Sequence, residues 1–333
     1  MRFLFRILIR ALTVIVLLLA VVVVWNDNAQ AATPWGANYF PNVPLVTQDG
    51  KQVRFFDDLI KGKVVAVNFI FTSCSASCSM ETARLRDVQD LLADRMGKDV
   101  FFYSITIDPD NDTPEALKAY AERFKVGPGW TFLTGRNEDI ILLRQKLGLY
   151  DVPVNQKTRS GQLDHDLGLL IGNQSTGRWM KASPMENPQI LATEIGSWLH
   201  NWKVPPAAGV KTDTYANAPT HMRQRSRGEE LYETRCASCH SMGAPAGSLA
   251  ALRAIGPDLA GVTRLRTRPW LSRWLKEPDV MLAEKDPLAT NLFVKYNKVA
   301  MPNLRLKDSE IDQLLTFLEE GYPTEAAKNI ARQ

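Results

Sequence analysis

Cys236 and Cys239 stand three positions apart, and His240 follows at once. That spacing is the attachment signature of a c-type haem. On one short helical turn both sulfurs reach the two vinyl groups of a single porphyrin, and the next residue turns its imidazole under the iron. A zinc half-site would need a second ligand pair nearby. No other cysteine lies in this part of the chain, and the nearest other histidine, His221, precedes the motif. The remaining two cysteines, Cys74 and Cys78, are four positions apart. If the turn between them is helical, both sulfurs share one face, and a helix N-terminus favours thiolate. Three chemistries fit: a reversible dithiol/disulfide, a soft two-thiolate site for copper, or an inert structural disulfide. A thioredoxin-type redox pair would read CxxC. The extra residue argues against plain disulfide exchange and lets the sulfurs open around a metal.

The elements that hold Cys74 and Cys78 are legible around them. Val64 to Phe71 is a nearly continuous apolar run rich in β-branched residues, the pattern of a strand covered on both faces. A polar loop over 72–79 carries the cysteines, and Met80 to Met96 follows as an amphipathic helix with Leu85, Val88, Leu91 and Leu92 on one side. Before the run, Val53-Arg54-Phe55 after a Gln48–Lys51 turn predicts a hairpin. After it come a buried strand at 100–107, a helix opened by Thr113-Pro114, a third strand at 130–134, a helix at 137–147, a terminal hairpin over 165–179 and a closing helix over 188–202. Alternating strands and helices imply a layered α/β domain. Residues 203–226 lack periodicity and read as a linker. From Gly228 the pattern is helical, ending in a helix over 309–320 with Ile311, Leu314, Leu315 and Leu318 on one face.

The sixth position of the iron calls for a soft thioether if the haem is to carry electrons. Met301 fits, in the Ala300-Met301-Pro302 loop before the last helix, where the proline fixes the backbone. Met242 is too near His240 to span the porphyrin. Met281 is the competitor, and a packed core methionine is the plain alternative for Met301. The arginines at 264, 266, 268 and 273 are a solvated face or a dock for an acidic partner.

Arg2, Arg6 and Arg10 precede an apolar run that reaches Trp25, a basic-then-apolar start that marks a secretory signal or a signal anchor. Ala29-Gln30-Ala31 resembles a cleavage site. The length from Phe3 to Trp25 suits an uncleaved transmembrane helix with the arginines inside and the rest exported. Covalent haem attachment also requires a compartment outside the cytoplasm. The formal charge of +4 over 333 residues gives no indication of nucleic acid.

Residues 228–320 resemble a class I cytochrome c: Gly228-x-x-Leu231-Tyr232 before CxxCH, Gly256-Pro257-Asp258-Leu259 in the middle, and Met301-Pro302 before the closing helix. The resemblance implies that Pro257 packs near the proximal His240. Residues 40–202 resemble the SCO/SenC family through Gly62-Lys63, Phe69, Phe71-Thr72-x-Cys74-x-x-x-Cys78, Asp108-Pro109-x-x-Asp112-Thr113-Pro114, Trp130-x-x-Leu133-Thr134-Gly135 and Asp164-His165. That family implies a thioredoxin-like fold on a membrane anchor, copper held by Cys74, Cys78 and His165, and a role in building the copper centre of cytochrome oxidase. It usually has proline after each cysteine, where Ser75 and Ser79 stand here. Asp108, Asp110 and Asp112 also have the look of a calcium loop, but a turn of the SCO type accounts for them.

The expectation is therefore an α/β thioredoxin-like domain plus an all-α cytochrome c domain, with an N-terminal transmembrane helix. Its parts are an anchor over 1–31, the SCO-like domain over 32–202, a linker over 203–226, the cytochrome domain over 227–321 and a tail over 322–333. The cofactors are one haem c and copper. The expected location is the inner membrane, with the bulk exported to the periplasm. The partners are a cytochrome oxidase subunit carrying a copper centre and other periplasmic redox proteins. The rival from another class is an enzyme, a haem-fed thiol-disulfide reductase or thiol peroxidase using Cys74 and Cys78 as its redox pair.

Overall fold

The computed structural model describes residues 39–74, 77–149, 168–211 and 224–323. The apolar segment expected to span the membrane lies outside them, as does His165. Among the described residues no helix is long and apolar enough to cross a membrane.

Seven strands, β1 (Pro44–Thr47), β2 (Gln52–Arg54), β3 (Val64–Ile70), β4 (Val100–Thr106), β5 (Trp130–Thr134), β6 (Leu169–Asn173) and β7 (Arg178–Ala182), form one sheet in the order β2-β1-β5-β4-β3-β6-β7. β3 pairs in parallel with β4, and β4 with β5. The two hairpins add antiparallel strands at either side. β3 is buried along its whole length, as its unbroken apolar run requires of a strand covered on both faces. Val64, Ala66 and Ile70 turn to one core, and Val65, Val67 and Phe69 to the other.

Four helices cover the sheet: α1 (Ser77–Leu91), α2 (Pro114–Arg123), α3 (Asn137–Lys146) and α4 (Pro188–Gly196). Residues of α1, α2 and α4 share one core, while α3 and the wide helical turn Phe55–Ile60 fill the other. α1 begins earlier than its apolar spacing predicts, so Cys78 lies inside its first turn. It also ends earlier, because the chain turns to reach Gly97 at φ +75°. The predicted closing helix breaks at Ser197 and continues only as a tight turn, Trp198–His200.

The helical domain contains α5 (Arg227–Leu231), α6 (Leu249–Arg253), α7 (Val262–Leu265), α8 (Arg268–Lys276), α9 (Pro278–Ala283), α10 (Pro287–Lys295) and α11 (Asp308–Glu320). Its core joins Leu231, Leu271, Leu275, Leu304, Leu306 and the apolar face of α11. At Gly228 the chain passes so close to α11 that a Cβ would sit 2.2 Å from the Gln313 carbonyl oxygen. Glycine is what lets these two helices cross there. Of the arginine cluster, Arg268 pairs with Asp312 at 2.9 Å, and Arg273 with Glu277 and Glu284 at 2.7 Å each.

The linker reading needs correction over its first part. Ala207 and Val210 are buried in the core beneath α1 and α4, and Gly209 lies against the Leu91 backbone. Nor are the two domains merely tethered. Met80 of α1 packs on the helical core, and Ile255 packs into the core of the α/β domain with Cys239 and Val299 beside it. Lys125 donates to the carbonyls of Leu252 and Ala254, at 2.6 and 2.7 Å, and Arg253 pairs with Asp90 at 3.0 Å.

Candidate haem cavity and metal site

The chain enters the CxxCH motif through a widened helical turn. α5 continues into Tyr232–Cys236, where the amide of Ala237 donates to the Tyr232 carbonyl five residues back. Such a turn shifts the helical register, and here it delivers Cys236 and Cys239 to the same cavity system. Tyr232, itself buried, donates its hydroxyl to the His240 carbonyl at 2.9 Å. Burial pushes both thiols, Cys236 and Cys239, up to about 12, so they are held as neutral thiols.

His240 is fixed by its ring. Nδ1 lies 2.8 Å from the Pro257 carbonyl oxygen. A carbonyl only accepts, so Nδ1 carries the proton and Nε2 keeps its lone pair for a metal. Burial lowers the imidazole's proton affinity, which keeps it neutral. Gly256 backs the ring so closely that a Cβ would meet it at 2.5 Å. The next turn is tied by Asp258, which accepts from the Ser241 hydroxyl and from the amides of Gly243, Ala244 and Ala260. Burial opposes the charge on Asp258, but these donors hold its carboxyl below the usual range.

Two adjoining cavities meet at this histidine. His240, Met301, Pro257, Trp274 and Leu292 line both; Cys239 borders the first and Cys236 the second. The structure thus brings Cys236, Cys239, His240 and Met301 to one apolar slot. Met281 is 1% exposed, packed elsewhere, and lines neither cavity. The donor set fits haem c: two thiols, an imidazole with a free Nε2, a thioether, and apolar walls around them.

The second site is less complete. Cys74 and Cys78 are joined as a disulfide with Cα atoms 5.9 Å apart, and both are buried. The amide of Cys78 donates to Cys74 Sγ at 3.4 Å. Asp112, 1% exposed, accepts from the Thr72 amide and from the hydroxyls of Thr72 and Thr106, which fastens the loop before Cys74 to the end of β4. Asp108 accepts from Asn111 instead. Among the described residues no three acidic, histidine or cysteine side chains gather as a metal site. A two-sulfur donor set fits soft Cu(I) once the disulfide is reduced. The third expected ligand, His165, lies outside the described residues.

Three features of the sites appear only in the structure. Glu81, one turn beyond Cys78, is fully buried and accepts from Asn68 Nδ2 at 2.9 Å. Asn68 in turn accepts from Ser104, and Ser104 from the Trp130 indole. Burial pushes the Glu81 carboxyl up to about 8. Arg84 and Arg86 are also buried, although they sit on what reads as the outer face of α1. Third, Ser79, next to Cys78, lines the haem cavity together with Cys239 and His240. Signals for the first two existed only as charged residues flanking a cysteine motif, which normally face water.

Residues 36–200 match the SCO1/SenC family model and residues 226–321 the cytochrome c model. The SCO1 protein homolog of Bacillus subtilis is 38% identical over 96 residues, 28% of this chain and 48% of the relative. An SCO2-like protein of Rickettsia prowazekii is 29% identical over 139 residues, 41% of this chain and 65% of the relative. The chain therefore spans about half the length of the first and just under two thirds of the second. The crystal structure of Arabidopsis thaliana ScoI with copper bound aligns at 24% identity and TM-score 0.39, covering 46% of this chain and 92% of that one. The chain joins an SCO1/SenC domain of thioredoxin-like fold to a cytochrome c domain.

Proposed function

We propose that this is a membrane-anchored, exported redox protein in which the SCO-like cysteine site exchanges electrons with a fused cytochrome. Its task is to deliver copper, or to maintain dithiols, during assembly of the copper centre of a cytochrome oxidase. The observation that carries this is the place of Ser79. Ser79 on the wall of the haem cavity directly follows Cys78, which carries one sulfur of the pair. Bound haem c supplies one-electron exchange. Cys236 and Cys239 would hold it covalently, and His240 and Met301 would supply the imidazole and thioether for its iron. Pro257 and Gly256 orient the imidazole, and Trp274 and Leu292 exclude water from the slot.

Copper is cargo in this reading. Cys74 and Cys78, once reduced, would hold it with His165. Opening the disulfide takes two electrons, whereas a copper ion changes by one and so matches a single haem. The test is anaerobic titration of the reduced, full-length protein with Cu(II), followed at the haem band. One equivalent should oxidise the haem with kinetics that do not change on dilution, and His165→Ala should slow this strongly. Equal rates in Cys74→Ser/Cys78→Ser, or rates that scale with protein concentration, would sink the internal route.

The rival reading, a haem-fed disulfide reductase or thiol peroxidase, draws on the disulfide between Cys74 and Cys78. Metal analysis separates the two. Stoichiometric copper that is lost in Cys74→Ser supports the first, and peroxide turnover without copper supports the second. The anchor rests on the basic-then-apolar start. A reporter fused at the C-terminus should be active only outside the cytoplasm.

A further inference from the structure

We propose that Arg86 is a positioning residue for the haem, supplied by the other domain: its guanidinium fixes the attachment loop and raises the haem potential. This rests on the haem assignment above. Arg86 is 3% exposed. Its neighbours Leu85 and Val88 enter the core of the α/β domain, so Arg86 turns away from the sheet, and the cytochrome domain closes over it. One terminal nitrogen donates to the carbonyls of Phe124 (3.3 Å) and Arg253 (2.9 Å), and the other to the carbonyl of Ser238 (2.8 Å).

Those acceptors lie where they matter. Ser238 sits between Cys236 and Cys239, so one bond ends on the peptide chain between the two attachment sulfurs. Arg253 closes α6. Just beyond it the amides of Ile255 and Gly256 donate to the Cys239 carbonyl, at 3.0 and 2.8 Å, and Gly256 backs the His240 ring. A single side chain thus grips both segments that frame the proximal histidine. Arg84 makes a parallel grip further out, donating to the carbonyls of Thr234 (3.2 Å) and Glu186 (2.8 Å). A planar fork is suited to two such acceptors, as an ammonium is not.

The charge has a second consequence. Carbonyl acceptors orient the guanidinium without neutralising it. Its carboxylate neighbour Asp87 is 3.8 Å away and partly exposed, and Asp90 is paired with Arg253. A mostly desolvated guanidinium therefore sets a positive field at the attachment loop, offset in part by the Asp87 carboxylate beside Ser238. The same field would favour the reduced state of a haem held by Cys236, Cys239 and His240. Because Arg86 belongs to the SCO domain, the haem potential becomes sensitive to docking of the two domains.

The experiment is a redox titration of the full-length, haem-loaded protein at the haem band, with small-angle scattering of the same samples. Arg86→Gln should lower the midpoint potential and enlarge the radius of gyration. Arg86→Lys, which keeps a charge but lacks the fork, should fall between Gln and wild type. It should raise the undocked population on the order of tenfold. Asp87→Asn, which removes the opposing carboxylate 3.8 Å from Arg86, should move the potential up. A folded Arg86→Gln with attached haem, wild-type potential and wild-type scattering overturns the proposal. If Arg86→Gln fails to fold, wild-type potentials in both Arg86→Lys and Asp87→Asn overturn it. A wild-type protein that carries no covalent haem sinks the haem assignment first, and this inference with it.

Discussion

The haem slot and the cysteine pair lie at the same end of α1, and they are anchored differently. Around His240 the polar groups are tied down: Nδ1 by Pro257, the backbone carbonyl by Tyr232, the following turn by Asp258, the attachment loop by Arg86. All four expected haem residues reach one slot within a single domain. Around Cys74 the fastening is upstream, where Asp112 clips Thr72 to β4, and the third ligand proposed for copper, His165, is distant in the sequence. A cofactor attached for the life of the protein calls for a cradle fixed before it arrives. A site proposed to take up and release an ion is served by ligands drawn from separate segments.

The widest separation between the two sites should come from Cys236→Ser/Cys239→Ser. Loss of covalent haem should be complete, read by haem staining after denaturing electrophoresis, while copper uptake at Cys74/Cys78 persists. Loss of both together would mean that the sites are not separately built. Next, Met301→Ala should abolish the sulfur-to-iron absorption band and lower the potential. Met281→Ala should keep the band but cost about 2–5 kcal/mol of stability, as for other buried methionines. The reverse pattern would move the axial ligand to Met281.

Glu81 gives a smaller, pH-dependent handle on the cysteine side. Its carboxyl rises from an ordinary 4.5 to about 8 on burial. Below 4.5 it is protonated in folded and unfolded chains alike and has no effect on the balance. As pH climbs from 4.5 towards 8, the unfolded chain loses this proton and the folded one keeps it, so stability falls. The loss is about 1.4 kcal/mol per pH unit. Glu81→Gln should remove that slope, so its stability relative to wild type should grow across this window. Denaturant unfolding at a series of pH values reads it. Parallel stability curves would show that Glu81 is ionised when folded.

How legible all this was depended on where the constraint lives. The CxxCH spacing is dictated by one porphyrin, so Cys236, Cys239 and His240 stand out in any sequence that has them. β3 declares itself because burial on both faces leaves no polar position in its apolar run except Asn68, which turns out to begin the chain to Glu81. Arg84 and Arg86 gave no sign. A charged residue on the far side of an amphipathic helix reads as solvated, and only the docking of a second domain buries it. The helices α9 and α10 were missed because each is only a few turns long. Yet Asp286-Pro287 was a readable start: Asp286 accepts from the amides of Leu288 and Ala289. Residues 203–211 were misread because Ala207 and Val210 pack without any local period.

The smallest expected effect sits where the two sites meet. Ser79 stands where the SCO pattern has proline, and it is 6% exposed, in the first turn of α1 and on the wall of the haem cavity. Proline in a first turn removes an amide that has no partner within the helix, and its ring finds no earlier helical turn to strike. Ser79→Pro should therefore fold with a stability change within about 1 kcal/mol. What it does remove is the one hydroxyl that, among the described residues, the SCO domain contributes to the slot. If the serine is there to seat the cytochrome domain, Ser79→Pro should loosen the docking that scattering reads and slow haem oxidation by Cu(II), with copper stoichiometry unchanged. If copper stoichiometry falls while docking and transfer rate hold, Ser79 belongs to the metal loop, and the boundary between the two sites runs on the other side of α1's first turn.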